Sequence, residues 1–153
     1  QEMARAFDLY GKFDPDKGIA DIEAAIKKAR ELAGKKVGVV GYCLGGKMTF
    51  LAATRTDADA CVSYYGGGID QLLGEQHAIG KPLMLHLAKE DQYIGPEAQQ
   101  AIHAALDGNR HAVIHDYAGQ DHAFARAYGS SRNEEAANLA DGRTRAFFAQ
   151  HLA

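Results

Sequence analysis

The chain has 153 residues, of which 46% are hydrophobic and 24% are charged, and its formal net charge is −3 at pH 7. This length and composition predict one soluble globular domain rather than a disordered, fibrous or membrane chain. The net negative charge and the absence of any Lys/Arg cluster argue against nucleic acid and anionic membranes as partners. They favour a small molecule as the binding partner.

The two cysteines, Cys43 and Cys61, lie in neither a C-x-x-C nor a zinc-binding pattern. A secreted disulfide scaffold of this size usually carries more cysteines, so we expect the protein to be cytoplasmic. No apolar run approaches the roughly 18 residues that a membrane-spanning helix needs, and we expect no contact with a membrane.

The apolar pattern predicts helices that alternate with short strands. Asp14-Pro15 is typical of a helix start, and apolar residues then recur at helical spacing from Ile19 to Leu32, before Gly34 ends the helix. Further helices are predicted at about residues 45–54, 96–106 and 134–152. Four apolar runs predict strands at residues 37–40, 60–65, 82–88 and 112–117.

Strands that alternate with helices predict an α/β fold built on a parallel sheet. The first strand, residues 37–40, is apolar and rich in valine, so we expect it to be buried on both faces. Three of the four strands are followed by residues that can do chemistry, namely Cys43, Asp91 and His122. Because the carboxyl ends of parallel strands meet at one edge of the sheet, these three side chains should lie together.

The segment Gly41-Tyr42-Cys43-Leu44-Gly45 matches the nucleophile elbow G-x-S-x-G, with sulfur in place of oxygen. The sharp turn brings positions 41 and 45 close together, so we expect glycine to be required at both. The thiol would lie at the amino end of a helix, where the helix dipole and free N–H groups favour thiolate. The N–H of Leu44 should point at the developing oxyanion.

The downstream residues complete the pattern. Asp91 and His122 follow Cys43 in the chain order nucleophile, acid, base, which is typical of α/β-hydrolases. We therefore predict Cys43 as nucleophile, His122 as general base, and Asp91 as the residue that orients the base.

Other interpretations of these residues remain open from the pattern alone. A buried, inert Cys43 beside packing glycines would leave the positions of Asp91 and His122 unexplained. Residues 41–47 also fit the phosphate-binding pattern G-x-x-x-x-G-K, but Met48 stands where Ser or Thr would hold magnesium. A redox role for Cys43 would need a resolving thiol, whereas Cys61 lies in an apolar strand and is predicted to be a core residue.

The histidines other than His122 give no further site. His111 and His115 could share a face as metal ligands, but no third ligand is evident, so no metal or organic cofactor is predicted. His86 lies in a predicted strand and is predicted to be a core or strand-end histidine.

These residues resemble those of the dienelactone hydrolases, also called carboxymethylenebutenolidases, over essentially the whole chain. The resemblance is carried by the elbow with Gly46, by Asp91, and by two short segments, Tyr64-Tyr65-Gly66 and His122-Ala123-Phe124-Ala125-Arg126. It implies an α/β-hydrolase fold, a Cys–Asp–His triad, and a small lactone or activated ester as substrate. It predicts no particular oligomeric state.

The resemblance also implies roles for residues around the triad. By position, Arg126 matches an arginine that helps to hold a substrate carboxylate, and Tyr65 matches a residue of the cleft. A second substrate-binding arginine of the family would fall near Gln1. Members have further strands before that point, which supply a second oxyanion donor and a glutamate that activates the thiol.

We therefore expect residues 1–153 to be the carboxyl-terminal part of a single α/β-hydrolase domain, without its amino-terminal strands. A fragment that binds carboxylates but does not turn them over is the alternative.

Overall fold

The computed structural model describes all of residues 1–153. One 3₁₀ helix, Ile69–Ala78, lies between the second and third strands. The other elements, in chain order, are α1 (Glu2–Gly11), α2 (Pro15–Ala33), β1 (Gly38–Tyr42), α3 (Leu44–Arg55), β2 (Ala60–Tyr64), β3 (Leu83–Ala88), α4 (Pro96–Leu106), β4 (Ala112–Tyr117) and α5 (Glu134–His151).

The four strands form one parallel sheet in the order β1-β2-β3-β4. The register joins Tyr42 at the end of β1 to Tyr64, and Tyr64 to His86. All four strands therefore run toward the same edge, where the loops that carry the predicted site begin. The predicted α/β fold with a parallel sheet is confirmed.

Local sequence signals set the helix boundaries. The carboxylate of Asp14 accepts a hydrogen bond from the N–H of Asp16 at 2.9 Å, and Pro15 occupies the first turn, where its missing N–H costs nothing. Gly34 ends α2 with a φ of 62°, a left-handed conformation that glycine adopts without strain. The helix predicted from Asp14-Pro15 to Gly34 is confirmed.

The core lies between the sheet and the helices on its two faces. Every residue of β2 and β3 is buried. On one face α3 comes so close to β1 that a Cβ at Gly41 would lie 2.5 Å from the hydroxyl of Thr49. On the other face α5 crosses β1 at Gly38, where a Cβ would lie 2.7 Å from the ring of Phe148. This packing fixes the position of the turn between β1 and α3.

The expectation that the first strand is buried on both faces is wrong. β1 is an edge strand of the sheet, and the side chains of Val40 and Tyr42 are 44% and 48% exposed. The reason is that α5 packs tightly on β1 at Gly38 but leaves an open cavity beside Val40 and Tyr42. An unbroken apolar run therefore did not distinguish an edge strand from a central one.

Two residues predicted to lie in the core are confirmed there. Cys61 is 1% exposed, and burial raises the pKa of its thiol to about 12. His86 is fully buried, and its two ring nitrogens form hydrogen bonds with the hydroxyls of Tyr117 (2.8 Å) and Thr144 (2.9 Å). Burial lowers the pKa of His86 to about 3, so the ring is neutral at physiological pH.

Helix α1 was not among the predicted elements. It is amphipathic, but none of its residues is buried, and Met3, Phe7 and Tyr10 along one side are all more than half exposed. None of the helices combines the length and the apolar character needed to span a bilayer.

Candidate active site

The turn between β1 and α3 consists of Cys43 alone. This residue has φ 58° and ψ −117°, a conformation that is strained for a side chain other than glycine. Its N–H donates to the carbonyl of Tyr64 at 3.0 Å, and its own carbonyl accepts from the N–H of Gly46 at 2.9 Å. A strained residue between a strand and a helix, held here by hydrogen bonds to β2 and α3, is what the elbow pattern predicts. A one-residue connection is too short to cradle a phosphate, so the nucleotide-binding interpretation is wrong.

The close approach inside the elbow depends on Gly41 rather than on Gly45. A Cβ at Gly41 would overlap the carbonyl of Gly45, whereas a Cβ at Gly45 would meet no atom within 4 Å. The expectation that glycine is required at both positions is therefore wrong for Gly45. The second steric requirement falls on Gly46, where a Cβ would lie 2.6 Å from the carbonyl oxygen of Tyr64. Glycine at that position lets α3 pack directly on β2.

Asp91 follows β3 and has a fully buried side chain. Its Oδ1 accepts hydrogen bonds from the N–H groups of Tyr93 (2.8 Å) and Ile94 (3.2 Å), while its Oδ2 accepts from Nδ1 of His122 at 2.9 Å. Because Nδ1 carries the proton for this bond, Nε2 of the neutral ring is left as the basic atom. Asp91 thus sets the tautomer that a general base needs.

His122 lies beyond the end of β4, and its side chain is 9% exposed. Its ring packs between those of Tyr65 and Tyr93, with centroid distances of 5.0 Å and 4.9 Å. Burial of the ring acts to lower its pKa, but the hydrogen bond with Asp91 and the neighbouring Cys43 outweigh burial and raise the pKa to about 9. His122 is therefore stabilised as an imidazolium.

The thiol of Cys43 is exposed, so it is not an inert core cysteine. Its pKa lies below the ordinary value, first because of the His122 side chain and to a smaller extent because of the N–H of Leu44. Nε2 of His122 is buried and forms no hydrogen bond that satisfies ordinary geometry. The two groups therefore act on each other's pKa by proximity and charge. The arrangement favours a thiolate–imidazolium pair.

Leu44 is the first residue of α3, where backbone N–H groups have no acceptor inside the helix. Cys43, at the cap position, provides no side-chain hydrogen bond to this first turn. The N–H of Leu44 is therefore free to bind a negatively charged oxygen beside the thiol, as an oxyanion donor must.

Cys43 and His122 line two cavities. The first has a volume of about 570 Å³, and it is also lined by Tyr42, Tyr65, Ala123, Ala125, Arg126, Ala127 and Asp141. The second has a volume of about 520 Å³, and it is also lined by Phe7, Tyr10, Leu44, Lys47, Gly67, Gly68 and Tyr93. The structure thus brings His122, Leu44, Tyr65 and Arg126 around one thiol, and Asp91 contacts the far side of the His122 ring.

Several residues of these cavities were not predicted from the sequence. Asp141 of α5 lies in the cavity of Arg126, where its carboxylate accepts a hydrogen bond from the hydroxyl of Tyr64 at 2.9 Å. Phe7 and Tyr10 enter the second cavity from α1. Their spacing of three residues puts them on one helix face, and this spacing was the sequence signal that could have identified them.

No group of three or more His, Cys, Asp or Glu side chains is arranged to hold a metal ion.

The sequence model of the dienelactone hydrolase family matches residues 1–152. A carboxymethylenebutenolidase homologue of Azospirillum brasilense is 44% identical, with 99% of this chain and 66% of the relative covered. The carboxymethylenebutenolidase of Pseudomonas putida is 34% identical, with 97% of this chain and 64% of the relative covered. The crystal structure of a dienelactone hydrolase homologue from Klebsiella pneumoniae matches with a TM-score of 0.83 at 26% identity, covering 92% of this chain and 64% of that chain. The chain thus spans just under two thirds of these relatives.

Proposed function

Because this chain belongs to the dienelactone hydrolase family, we propose that it is a carboxylic-ester hydrolase that cleaves a small lactone or activated ester through Cys43. The observation that carries the proposal is the relay from Asp91 through His122 to an exposed thiol in a strained elbow. Each of these three residues follows the carboxyl end of a different parallel strand, where α/β folds place their reactive groups.

In the first half of the reaction, the thiolate of Cys43 attacks the carbonyl carbon of the substrate. A carbon–sulfur bond forms, and the carbonyl electron pair moves to oxygen, where the N–H of Leu44 stabilises the negative charge. When the carbonyl re-forms, the carbon–oxygen bond to the leaving group breaks. The imidazolium of His122 gives its proton to the departing oxygen, which leaves a thioester on Cys43.

In the second half, water attacks the thioester carbon, and Nε2 of His122 takes a proton from that water. Collapse of the tetrahedral intermediate releases the carboxylic acid and restores the thiolate of Cys43 beside the imidazolium. Asp91 keeps the ring in one orientation and stabilises its charged form in both halves. No oxidant, reductant or metal takes part in this sequence.

The proposed substrate carries a carboxylate that is bound in the first cavity. Arg126 forms no ion pair within the protein and lines this cavity beside the thiol. The buried Tyr65 lines the same cavity. Asp141 lines the same cavity, so a bound carboxylate must lie on the Arg126 side, away from that acid.

A thiol redox function is the main rival, and the positions of the two cysteines do not favour it. Cys61 pairs across the sheet with Val39, which is four residues before Cys43. Four residues of strand span about 13 Å, whereas the Cα atoms of a disulfide lie about 4.4–6.8 Å apart. Cys61 could not resolve a sulfenic acid on Cys43 without rearranging the core.

The proposal is tested by measuring hydrolysis of p-nitrophenyl acetate and of dihydrocoumarin, a lactone with a phenolate leaving group. We expect turnover of both, with one acyl group per chain trapped as a thioester on acid quench. A chain that binds these compounds without releasing product would be a binding module. A chain that consumes peroxide but no ester would be a redox protein.

A further inference from the structure

The loop that carries Asp91 is held at both of its ends by a buried side chain. Gln99 of α4 is 2% exposed, and its Nε2 donates hydrogen bonds to the carbonyls of Ala88 at 3.0 Å and Ile94 at 2.8 Å. These two carbonyls lie before and after Asp91 in the chain, so one amide joins the start of the loop to its end. Water does not compete for hydrogen bonds in such surroundings. The position of Asp91 is therefore fixed by α4 and β3.

The segment that carries His122 has much less support from its own backbone. It lies outside any helix or strand, and neither Asp121 nor His122 takes part in a hydrogen bond between backbone groups. The next residue, Ala123, has a φ of 66°, a conformation that costs energy for a residue with a Cβ. Side-chain contacts are therefore needed to hold this segment in place.

Asp121 supplies such contacts through its carboxylate. Its Oδ1 accepts hydrogen bonds from the backbone N–H of His122 at 2.6 Å and from the backbone N–H of Gln92 at 3.0 Å. Its Oδ2 accepts from the side-chain amide of Gln92 at 3.1 Å. Gln92 directly follows Asp91 in the chain. A single carboxylate thus joins the backbone beside the acid of the triad to the backbone of the base.

The hydrogen bonds of Asp121 are made to a charged group. The N–H groups of Gln92 and His122 hold the pKa of Asp121 below its ordinary value, so the carboxylate is ionised at the pH of the reaction. Hydrogen bonds to an ionised acceptor are shorter and stronger than those between neutral groups. Asp121 lines neither cavity beside the thiol. Its contacts are therefore with the backbone that carries the triad and not with the reacting groups.

The position of the His122 segment controls the hydrogen bond on which the relay depends. The bond between Nδ1 of His122 and Oδ2 of Asp91 is 2.9 Å long. Catalytic groups must be held within about 0.5 Å of their working geometry, and a displacement of about 1 Å can cost about 100-fold in rate. Because Asp91 is fixed by α4, any drift of the His122 segment would lengthen this bond and release the imidazole ring.

We infer that Asp121 is a positioning residue of the hydrolase, whose carboxylate joins the His122 segment to the Asp91 loop and so keeps the Asp91–His122 hydrogen bond at its working length. The inference rests on the proposed hydrolase function and adds a residue on which that function depends. Asp121 is not a catalytic residue, since it lines neither cavity and transfers no proton.

The first test separates the acceptor oxygen of Asp121 from its charge. Asp121→Ala removes both, whereas Asp121→Asn removes the charge but keeps an oxygen that can accept from the two N–H groups. In p-nitrophenyl acetate hydrolysis, kcat should fall about 10- to 100-fold in Asp121→Ala and by no more than about threefold in Asp121→Asn, with little change in KM. Glu90→Ala removes the exposed carboxylate next to Asp91 and should keep wild-type kcat. Equal kcat values in the two Asp121 variants, or an equal loss in Glu90→Ala, would overturn the inference.

The pH profile distinguishes positioning from a general loss of stability. The hydrogen bond with Asp91 raises the pKa of His122, which lies at about 9, so loosening that bond should move the alkaline limb of kcat/KM to lower pH. We expect this limb to lie lower in Asp121→Ala than in Asp121→Asn, because both variants lack the charge but only the first lacks the acceptor. Unfolding would reduce the amount of active enzyme without shifting the limb. Alkaline limbs at the same pH in the two variants would therefore contradict the inference.

A measurement without turnover separates the failure of the inference from the failure of the proposed function. The proton on Nδ1 of His122 exchanges with water when its bond with Asp91 opens, so NMR of this proton reports how well the bond is held. We expect exchange about tenfold faster in Asp121→Ala than in the wild type or in Glu90→Ala. If the chain hydrolyses no ester, the proposed hydrolase is wrong and this exchange rate decides the role of Asp121. Equal exchange rates in the three proteins would overturn that role whether or not esters are cleaved.

Discussion

Nδ1 of His122 lies 2.9 Å from Oδ2 of Asp91, although the two residues are 31 positions apart in the chain. The Asp91 side chain is fully buried and that of His122 is 9% exposed, so water does not compete for this hydrogen bond. A charge-assisted bond in such surroundings is strong and directional. It fixes the imidazole ring while leaving Nε2 available on the side of the thiol.

Replacement of Asp91 by Asn tests this relationship. The amide keeps the shape of the side chain, but it neither stabilises the imidazolium nor favours the same tautomer, so kcat should fall about 100- to 10,000-fold. The measurement is p-nitrophenyl acetate hydrolysis at saturating substrate. Glu90→Gln removes the neighbouring carboxylate, which is exposed, and should retain wild-type kcat. Similar losses in the two variants would contradict the assignment.

The pH dependence of kcat/KM should follow the thiolate–imidazolium pair. The acid limb reflects formation of the pair, and it should lie below pH 9.0, the ordinary pKa of the thiol, because the pKa of Cys43 is lowered. The alkaline limb reflects loss of the His122 proton and should lie near pH 9. Because Asp91 raises the pKa of His122, the alkaline limb should move to lower pH in Asp91→Asn. An alkaline limb that stays at the same pH in Asp91→Asn would contradict the coupling of Asp91 and His122.

Arg126→Ala should weaken turnover of esters that carry a carboxylate in the acyl part. Arg126 is exposed, so water screens its charge, and we expect a loss of about 1–1.5 kcal/mol, or about five- to tenfold in kcat/KM. Neutral esters of the same shape should lose much less. Arg110→Ala, which changes an exposed arginine far from both cavities, serves as the control. Equal losses on matched neutral and anionic esters would assign Arg126 a structural role.

Gly41 and Gly45 form a matched pair for the steric account of the elbow. Gly41→Ala would force the new methyl group into the carbonyl of Gly45, so both stability and activity should fall sharply, by about 2–4 kcal/mol in unfolding free energy. In Gly45→Ala the new methyl group meets no atom within 4 Å, and alanine replaces glycine near the start of α3. The unfolding free energy should therefore be unchanged or higher by up to about 1 kcal/mol. Urea unfolding of the two variants measures the difference.

His86 predicts how stability depends on pH. Its pKa is about 3 in the folded state and about 6.5 when unfolded, so below pH 6.5 the unfolded chain binds a proton that the folded chain excludes. The contribution of the neutral His86 to the free energy of unfolding is therefore complete above pH 6.5. It is lost as pH falls toward 3, at up to about 1.4 kcal/mol per pH unit. His86→Asn should flatten the dependence of unfolding free energy on pH between 4 and 6. His77→Asn changes an exposed histidine and should leave the slope unchanged.

The grouping of three of the predicted site residues could be predicted because it follows from strand order. Cys43, Asp91 and His122 each follow a strand, and parallel strands end at one edge, so their proximity needed no knowledge of side-chain packing. The two cavities could not be predicted in this way. They depend on how α1 and α5 approach the sheet edge, which brings Phe7 and Asp141 to the thiol from opposite ends of the chain.

The two wrong predictions, that β1 is buried on both faces and that glycine is required at Gly45, failed for the same reason: both depend on three-dimensional packing. An apolar strand such as β1 looks the same in sequence whether a helix packs tightly along its whole length or at one end only, as α5 does at Gly38. Likewise, the glycine pattern of the elbow does not reveal which glycine lacks room for a methyl group. Only the three-dimensional approach of Gly41 to the carbonyl of Gly45 shows it.

The central claim is that Cys43 is the nucleophile, and it is tested most directly by locating the acyl group. The chain is mixed with p-nitrophenyl acetate, quenched in acid within the first turnover, digested, and analysed by mass spectrometry. We expect one acetyl group on the peptide that contains Cys43, no acetylation and no turnover in Cys43→Ala, and wild-type turnover in Cys61→Ala, since that thiol is buried. Acetylation elsewhere together with an active Cys43→Ala variant would contradict the account.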